Sequence, residues 1–178
     1  FNDNLFKNAL VVLLTFQAAS WTTIAPALLA NLAAGIFILP FFLFSATAGQ
    51  LADKYDKARL TRLVKVLEIG IMVVALAGFL VHSLTVLFSA LFLLGCHSTL
   101  FGPVKYALLP QHLREDELVG GNALVEAGTF VAILLGTLCG GLLAGAPHGD
   151  LWIAGGGILV AFAGYLTSRG VPPAPAPA

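Results

Sequence analysis

The chain has 178 residues, of which 58% are hydrophobic and only 10% charged. A water-soluble domain carries roughly 25% charged residues, so these side chains cannot clothe a soluble surface and the composition is that of an integral membrane protein. Nine basic and nine acidic residues cancel to zero formal charge, which excludes the basic excess that nucleic-acid binding needs.

A helix needs about 20 apolar residues to cross the hydrocarbon core, and in lipid its backbone groups must be bonded within the span. The apolar runs predict an all-α polytopic fold with six spans: Phe1–Ser20, Ala30–Ala52, Leu63–Val81, Leu84–Tyr106, Gly120–Ala144 and Leu151–Ser168. The first reads as a helix entered part-way along. Residues 1–170 form one bundle in this reading, and the Pro/Ala run 171–178 is an extended linker toward a further half of the protein.

Ionisable groups inside a span cost about 2.5–3.5 kcal/mol each, so each needs a reason. In the first span, Asp3 and Lys7 are four residues apart, as are Asn4 and Asn8. Each pair shares a helix stripe. The stripe is either the wall of a water-filled cavity, with Asp3 meeting a cation, or an intrahelical ion pair with Lys7 reaching for the interface.

The second and third spans are joined by Gly49-Gln50-Leu51-Ala52-Asp53-Lys54-Tyr55-Asp56-Lys57-Ala58-Arg59, with Arg62 and Lys65 close behind. Gly49 is expected to end the second helix. A basic cluster between two apolar runs marks the cytoplasmic side. On the third span, Glu68 sits three residues from Lys65 and reads as a local ion pair.

The fourth span exits through Gly102-Pro103-Val104-Lys105-Tyr106, with Pro110 beyond. Prolines remove helix hydrogen bonds, so a break lining a cavity or gate is expected. Lys105 either holds a phosphate as a point charge or anchors at the interface beside Tyr106. His97 reads as a core histidine. On the fifth span Asn122, Glu126 and Thr129 share one face, with Glu126 available to Lys105, to Lys7 or to a proton. The acidic run Glu115–Glu117 reads as a solvated cap. Gly136/Gly140 and Gly141/Gly145 are spaced for close helix approach.

The connection after the fourth span carries Arg114, and Arg169 follows the sixth, whereas residues 21–31, 82–83 and 146–150 hold no Lys or Arg. Both termini are therefore expected in the cytoplasm. Trp21 and Trp152 fall at the opposite end, where an aromatic belt belongs. Cys96 and Cys139 lie in apolar runs and read as packing residues. No metal or cofactor is indicated.

The stretch Gly49-x-Leu51-x-Asp53-Lys54-x-Asp56-Lys57-x-Arg59 resembles the signature loop between helices 2 and 3 of major facilitator superfamily transporters, with Asp56 where a glycine is usual. That resemblance implies the N-terminal six-helix half of a twelve-helix facilitator. Asp53 would pack near a helix end, and Arg59 or Lys57 would pair across the bundle. Three further stretches look like the lysophospholipid transporter branch: Phe1-Asn2-Asp3-Asn4, Gly102-Pro103-Val104-Lys105-Tyr106, and Asn122-Ala123-Leu124-Val125-Glu126-Ala127 followed by Ala132-Ile133-Leu134-Leu135-Gly136.

This branch implies inward flipping of 2-acyl-glycerophosphoethanolamine across the bacterial inner membrane. An acyltransferase and acyl carrier protein (ACP) synthetase, fused or separate, then reacylates it. The implied substrate residues are Asp3, Asn4, Lys105, Asn122 and Glu126; Gly49, Asp53, Lys57 and Arg59 form the gating loop. The implied partners are lysophospholipid, a C-terminal six-helix half, the acyltransferase/acyl-ACP synthetase and the lipid bilayer. Three other readings stay open: a facilitator-type exporter of drugs or small metabolites, the membrane portion of a fused acyltransferase polypeptide, and a non-transporting scaffold. Within these residues nothing patterns as an enzyme; no His-x-x-x-x-Asp stretch or phosphate-cradling glycine loop is present.

Overall fold

The computed structural model describes residues 1–17 and 21–176. Residues 18–20 of the first predicted span and 177–178 of the predicted linker lie outside the described residues. The helices are α1 (Asn2–Phe16), α2 (Pro26–Lys54), α3 (Lys57–Leu80), α4 (Leu84–Ala107), the short α5 (Leu109–His112), α6 (Leu118–Ala144) and α7 (Gly149–Ser168), with a 3₁₀ turn at Glu115–Glu117. Among the described residues, five helical segments are long and apolar enough to cross a membrane: α2, α3, α4 with its α5 extension, α6 with its preceding turn, and α7; the first of the six predicted spans appears as α1, of 15 residues, and is not among them. The chain is all-helical and polytopic, as expected. Large apolar side chains face outward, Phe42, Leu142 and Leu159 being 83%, 76% and 71% exposed; a hydrocarbon surround makes that surface favourable.

Two expectations are corrected at the basic end. Gly49 does not end α2, which continues to Lys54. Ala48 and Ala52 are both buried, so the inward stripe runs past the glycine and the helix keeps its packing. The turn is instead only Tyr55 and Asp56. Asp56 caps α3 by accepting the Arg59 backbone N–H at 2.8 Å, a standard helix start. Lys57, Arg59 and Arg62 thus ride on the first turns of α3, not on a loop. Pro103 likewise does not break its helix, since α4 runs through it to Ala107. Pro110 falls in the first turn of α5, where a missing N–H costs nothing.

Helix α1 is the axis of the core. Leu5, Phe6, Ala9, Leu10, Leu13 and Leu14 are all buried, an i, i+1, i+4 stripe that leaves residues 3, 4, 7 and 8 half-open on the other side. Around it the packing has an exchange symmetry. α1 packs chiefly along α6, α2 chiefly along α4, and α3 lies against both α4 and α7. Grouping α1–α2–α3 and α4–α6–α7 as triplets, the first helix of each packs on the middle helix of the other, the arrangement of an internal structural repeat.

Both crossings need glycine. At α1–α6, a Cβ on Gly136 would lie 2.6 Å from the Phe1 carbonyl oxygen, and one on Gly140 would strike the Leu5 carbonyl. At α2–α4, a Cβ on Gly95 would lie 2.5 Å from the Phe37 carbonyl oxygen and 2.9 Å from the Pro40 ring. The second expected pair makes no such approach: Gly141 faces open space and Gly145 only closes the end of α6. Accordingly, Gly140→Ala should destabilise the bundle by about 1–3 kcal/mol through overpacking. Gly141→Ala should be neutral or slightly stabilising. Thermal unfolding of the full-length protein in detergent, followed by circular dichroism, compares them; equal midpoints would remove the close crossing.

Candidate functional site

The half-open side of α1 gathers the polar groups. The Asp3 carboxylate accepts from Ser98 Oγ on α4 at 3.1 Å, from the Asn4 backbone N–H at 2.8 Å and from Asn4 Nδ2 at 3.1 Å. Lys7 donates to Asn4 Oδ1 at 3.3 Å and lies 4.8 Å from the Phe37 ring centroid. The Asp3–Lys7 ion pair, one of the two readings of this stripe, is not formed among the described residues. Asn4 stands between them, and Asp3 turns to α4 instead. Asn8 Nδ2 donates to the Asn4 carbonyl at 2.8 Å and to Thr137 Oγ1 on α6 at 3.2 Å.

The seam continues along α4. Ser98, Gly102 and Lys105 are spaced i, i+4, i+7, so they share one stripe, and Lys105 lies about 10 Å along the axis from Ser98. Gly102 leaves that stripe open, with nothing within 4 Å of where its Cβ would be. Lys105 Nζ donates to Thr129 Oγ1 on α6 at 3.0 Å and sits 4.7 Å from the Tyr106 ring centroid. Glu126 accepts from the Tyr106 hydroxyl and forms no ion pair with Lys105 or Lys7 among the described residues. Asn122 is exposed one turn earlier. The result is a polar strip over α1, α4 and α6 with an acid at one level and a base two turns away.

The loop residues behave differently. Asp53 and Arg59 are exposed, and the structure joins Asp53 to neither Arg59 nor Lys57. Lys57 is buried, its ammonium without a hydrogen-bond partner among the described residues. Glu115–Glu117 are exposed as expected. They answer Arg114, whose guanidinium lies 3.3 Å from Asp116 and 3.1 Å from Glu117.

Behind the seam lies a buried polar knot. Glu68 pairs with Lys65 at 2.8 Å, as the sequence suggested. It also accepts from Asn2 Nδ2 at 2.9 Å, and its carboxylate is 3.4 Å from His97 Nε2. Asn2 Nδ2 donates in addition to the Gly157 carbonyl on α7 at 2.9 Å. Four helices meet there: α1, α3, α4 and α7. Asn2 and Asp3 are consecutive, as are His97 and Ser98, so on both helices one residue enters the knot and the next faces the seam. His97, read as a core histidine, is buried in this knot, and the sequence reading did not foresee that Asn2 would join it. The available signal was register: each falls on its helix's buried stripe, where a polar side chain requires a partner.

Replacing Glu68 by Leu strands Lys65 and frees Asn2, and we expect it to cost about 3 kcal/mol, the lower range for breaking a buried pair. Reversible unfolding in mixed micelles measures this. A loss under about 1 kcal/mol, the range of exposed pairs, would show that the knot does not hold the bundle together.

The sequence matches the profile of the Major Facilitator Superfamily over residues 5–178. It is 34% identical over 109 residues to proteins named lysophospholipid transporter LplT from Salmonella newport, Salmonella heidelberg and Salmonella agona. The matched stretch is 61% of this chain and 26% of each relative, so the chain spans about a quarter of the length of the curated relatives it matches.

Proposed function

The chain belongs to the major facilitator superfamily, and from that membership we propose that it is the N-terminal six-helix half of a lysophospholipid transporter. In this reading the complete protein moves 2-acyl-glycerophosphoethanolamine inward across the bacterial inner membrane. An acyltransferase/acyl-ACP synthetase, fused or separate, then reacylates it. The observation that carries the reading is the polar seam, where an acid and a base share one half-open strip in an otherwise apolar bundle. A phosphoethanolamine headgroup is a zwitterion. Its ammonium suits Asp3, with Asn4 beside it, and its phosphate suits Lys105. The single acyl chain stays on apolar helix surface. Glu126 and Asn122 extend the strip on α6.

Similarity to proteins named lysophospholipid transporters supports the same substrate class. The Lys/Arg-free connections at the Trp21 end support an orientation with both termini in the cytoplasm. A C-terminal six-helix half would close the seam from the other side, as alternating access requires. Asp53, Lys57 and Arg59, with Gly49 in the helix before them, would serve as the gating end.

The test is inward movement of labelled lysophosphatidylethanolamine by the full-length protein in proteoliposomes. Asp3→Asn and Lys105→Ala should each cut the rate at least tenfold (about 1.4 kcal/mol) while expression and folding stay normal. Near-normal rates in either variant would remove that residue from the path. No movement by folded wild type would favour the exporter reading.

A further inference from the structure

The segment after α7 is not free. Residues 171–176 have no regular secondary structure, yet Ala174 is fully buried. The Lys57 backbone N–H donates to the Ala174 carbonyl at 2.8 Å, and the Ala174 N–H donates to Asp56 Oδ2 at 3.2 Å. The Arg62 guanidinium donates to the Val171 carbonyl at 3.0 Å, and Gln111 Nε2 to the Pro175 carbonyl at 3.0 Å. We propose that the corner formed by Asp56, Lys57, Arg62 and Gln111 is a binding site for an extended proline-alanine strand, and that its occupant is this chain's own segment 171–176.

The chemistry fits on both sides. Pro172, Pro173 and Pro175 have no N–H to satisfy. The remaining donors before residue 176 are both bonded: Val171 N–H to the Ser168 carbonyl and Ala174 N–H to Asp56. Proline stiffness keeps the unbound strand extended, so little freedom is lost on docking. On the bundle side, Lys57 N–H is one of the first donors of α3, which have no partner within their own helix; the strand supplies one. Asp56 does two things at once, capping α3 with one oxygen and holding the strand with the other. It is the residue at which this sequence departs from the superfamily loop pattern. Ala174 itself is fully buried where it docks. The corner acts as a bracket: the chain leaving α7 is led to the α2–α3 turn.

Hydrogen–deuterium exchange on the full-length protein in lipid nanodiscs tests this without any substrate, so its outcome is separate from the transport reading. The Lys57 and Ala174 amides should exchange at least tenfold more slowly than free peptide. Asp56→Ala should release both, but it also removes the α3 cap. Ala174→Asp keeps the cap and sets a carboxylate against Asp56; it should release the Lys57 amide while the interior amides of α3 stay protected. Free-peptide exchange at Lys57 and Ala174 in the wild type would overturn the proposal. So would undiminished Lys57 protection in Ala174→Asp.

Discussion

Helices inside a bilayer gain little by hiding apolar surface from one another, because lipid is as apolar as leucine. What holds them is close contact and the few polar bonds that hydrocarbon makes obligatory. This bundle uses both around α1. On one side its backbone comes against α6 through Gly136 and Gly140, where any Cβ would strike it. On another, Asn2 is held by Glu68 of α3 and by the Gly157 carbonyl of α7. Removing either set leaves α1 held by the other and by the Asp3–Ser98 and Asn8–Thr137 hydrogen bonds.

The polar groups divide by depth. Glu68, His97 and Asn2 are buried together, Glu68 bonded to Asn2 and 3.4 Å from the His97 ring. Asp3, Asn4, Lys7, Lys105 and Glu126 are half-open, and the hydrogen bonds they make are largely to neutral side chains. Ser98, Thr129, Asn4 and Tyr106 are neutral partners, so these charges are not cancelled by an opposite charge on a neighbouring side chain. A charge held by an opposite charge, such as Glu68 by Lys65, is harder to recruit. That contrast supports the seam rather than the knot as the place where a headgroup would be met.

The spans were legible because about 20 apolar residues with polar ends can do little else. Their ends were less legible. Gly49 looked like a stop, but glycine ends a helix only where the backbone turns, and Ala52 still had packing to make. Pro103 looked like a break, but a helix pressed between neighbours tolerates one lost bond. The Lys65–Glu68 pair was legible because it is local. The Asp3–Ser98, Asn2–Glu68 and Asp56–Ala174 contacts were not. They join residues 95, 66 and 118 positions apart, and no spacing rule reaches that far. Asp3 was recognised as a candidate, but its partner Ser98 on α4 was beyond the stripe argument, which sees only its own helix.

The alternation Asn2-Asp3 on α1 also constrains motion. Turning α1 by one residue, about 100°, would carry Asp3 into the place of Asn2 and set its carboxylate against that of Glu68. Two like charges in a low-dielectric interior repel strongly. The dipeptide is in effect a rotational key: α1 fits its socket in one orientation and is refused in the next. A helix so keyed cannot roll to present or withdraw its polar side. Whatever exposes the seam to one side of the membrane and then the other has to move these helices together, as one piece.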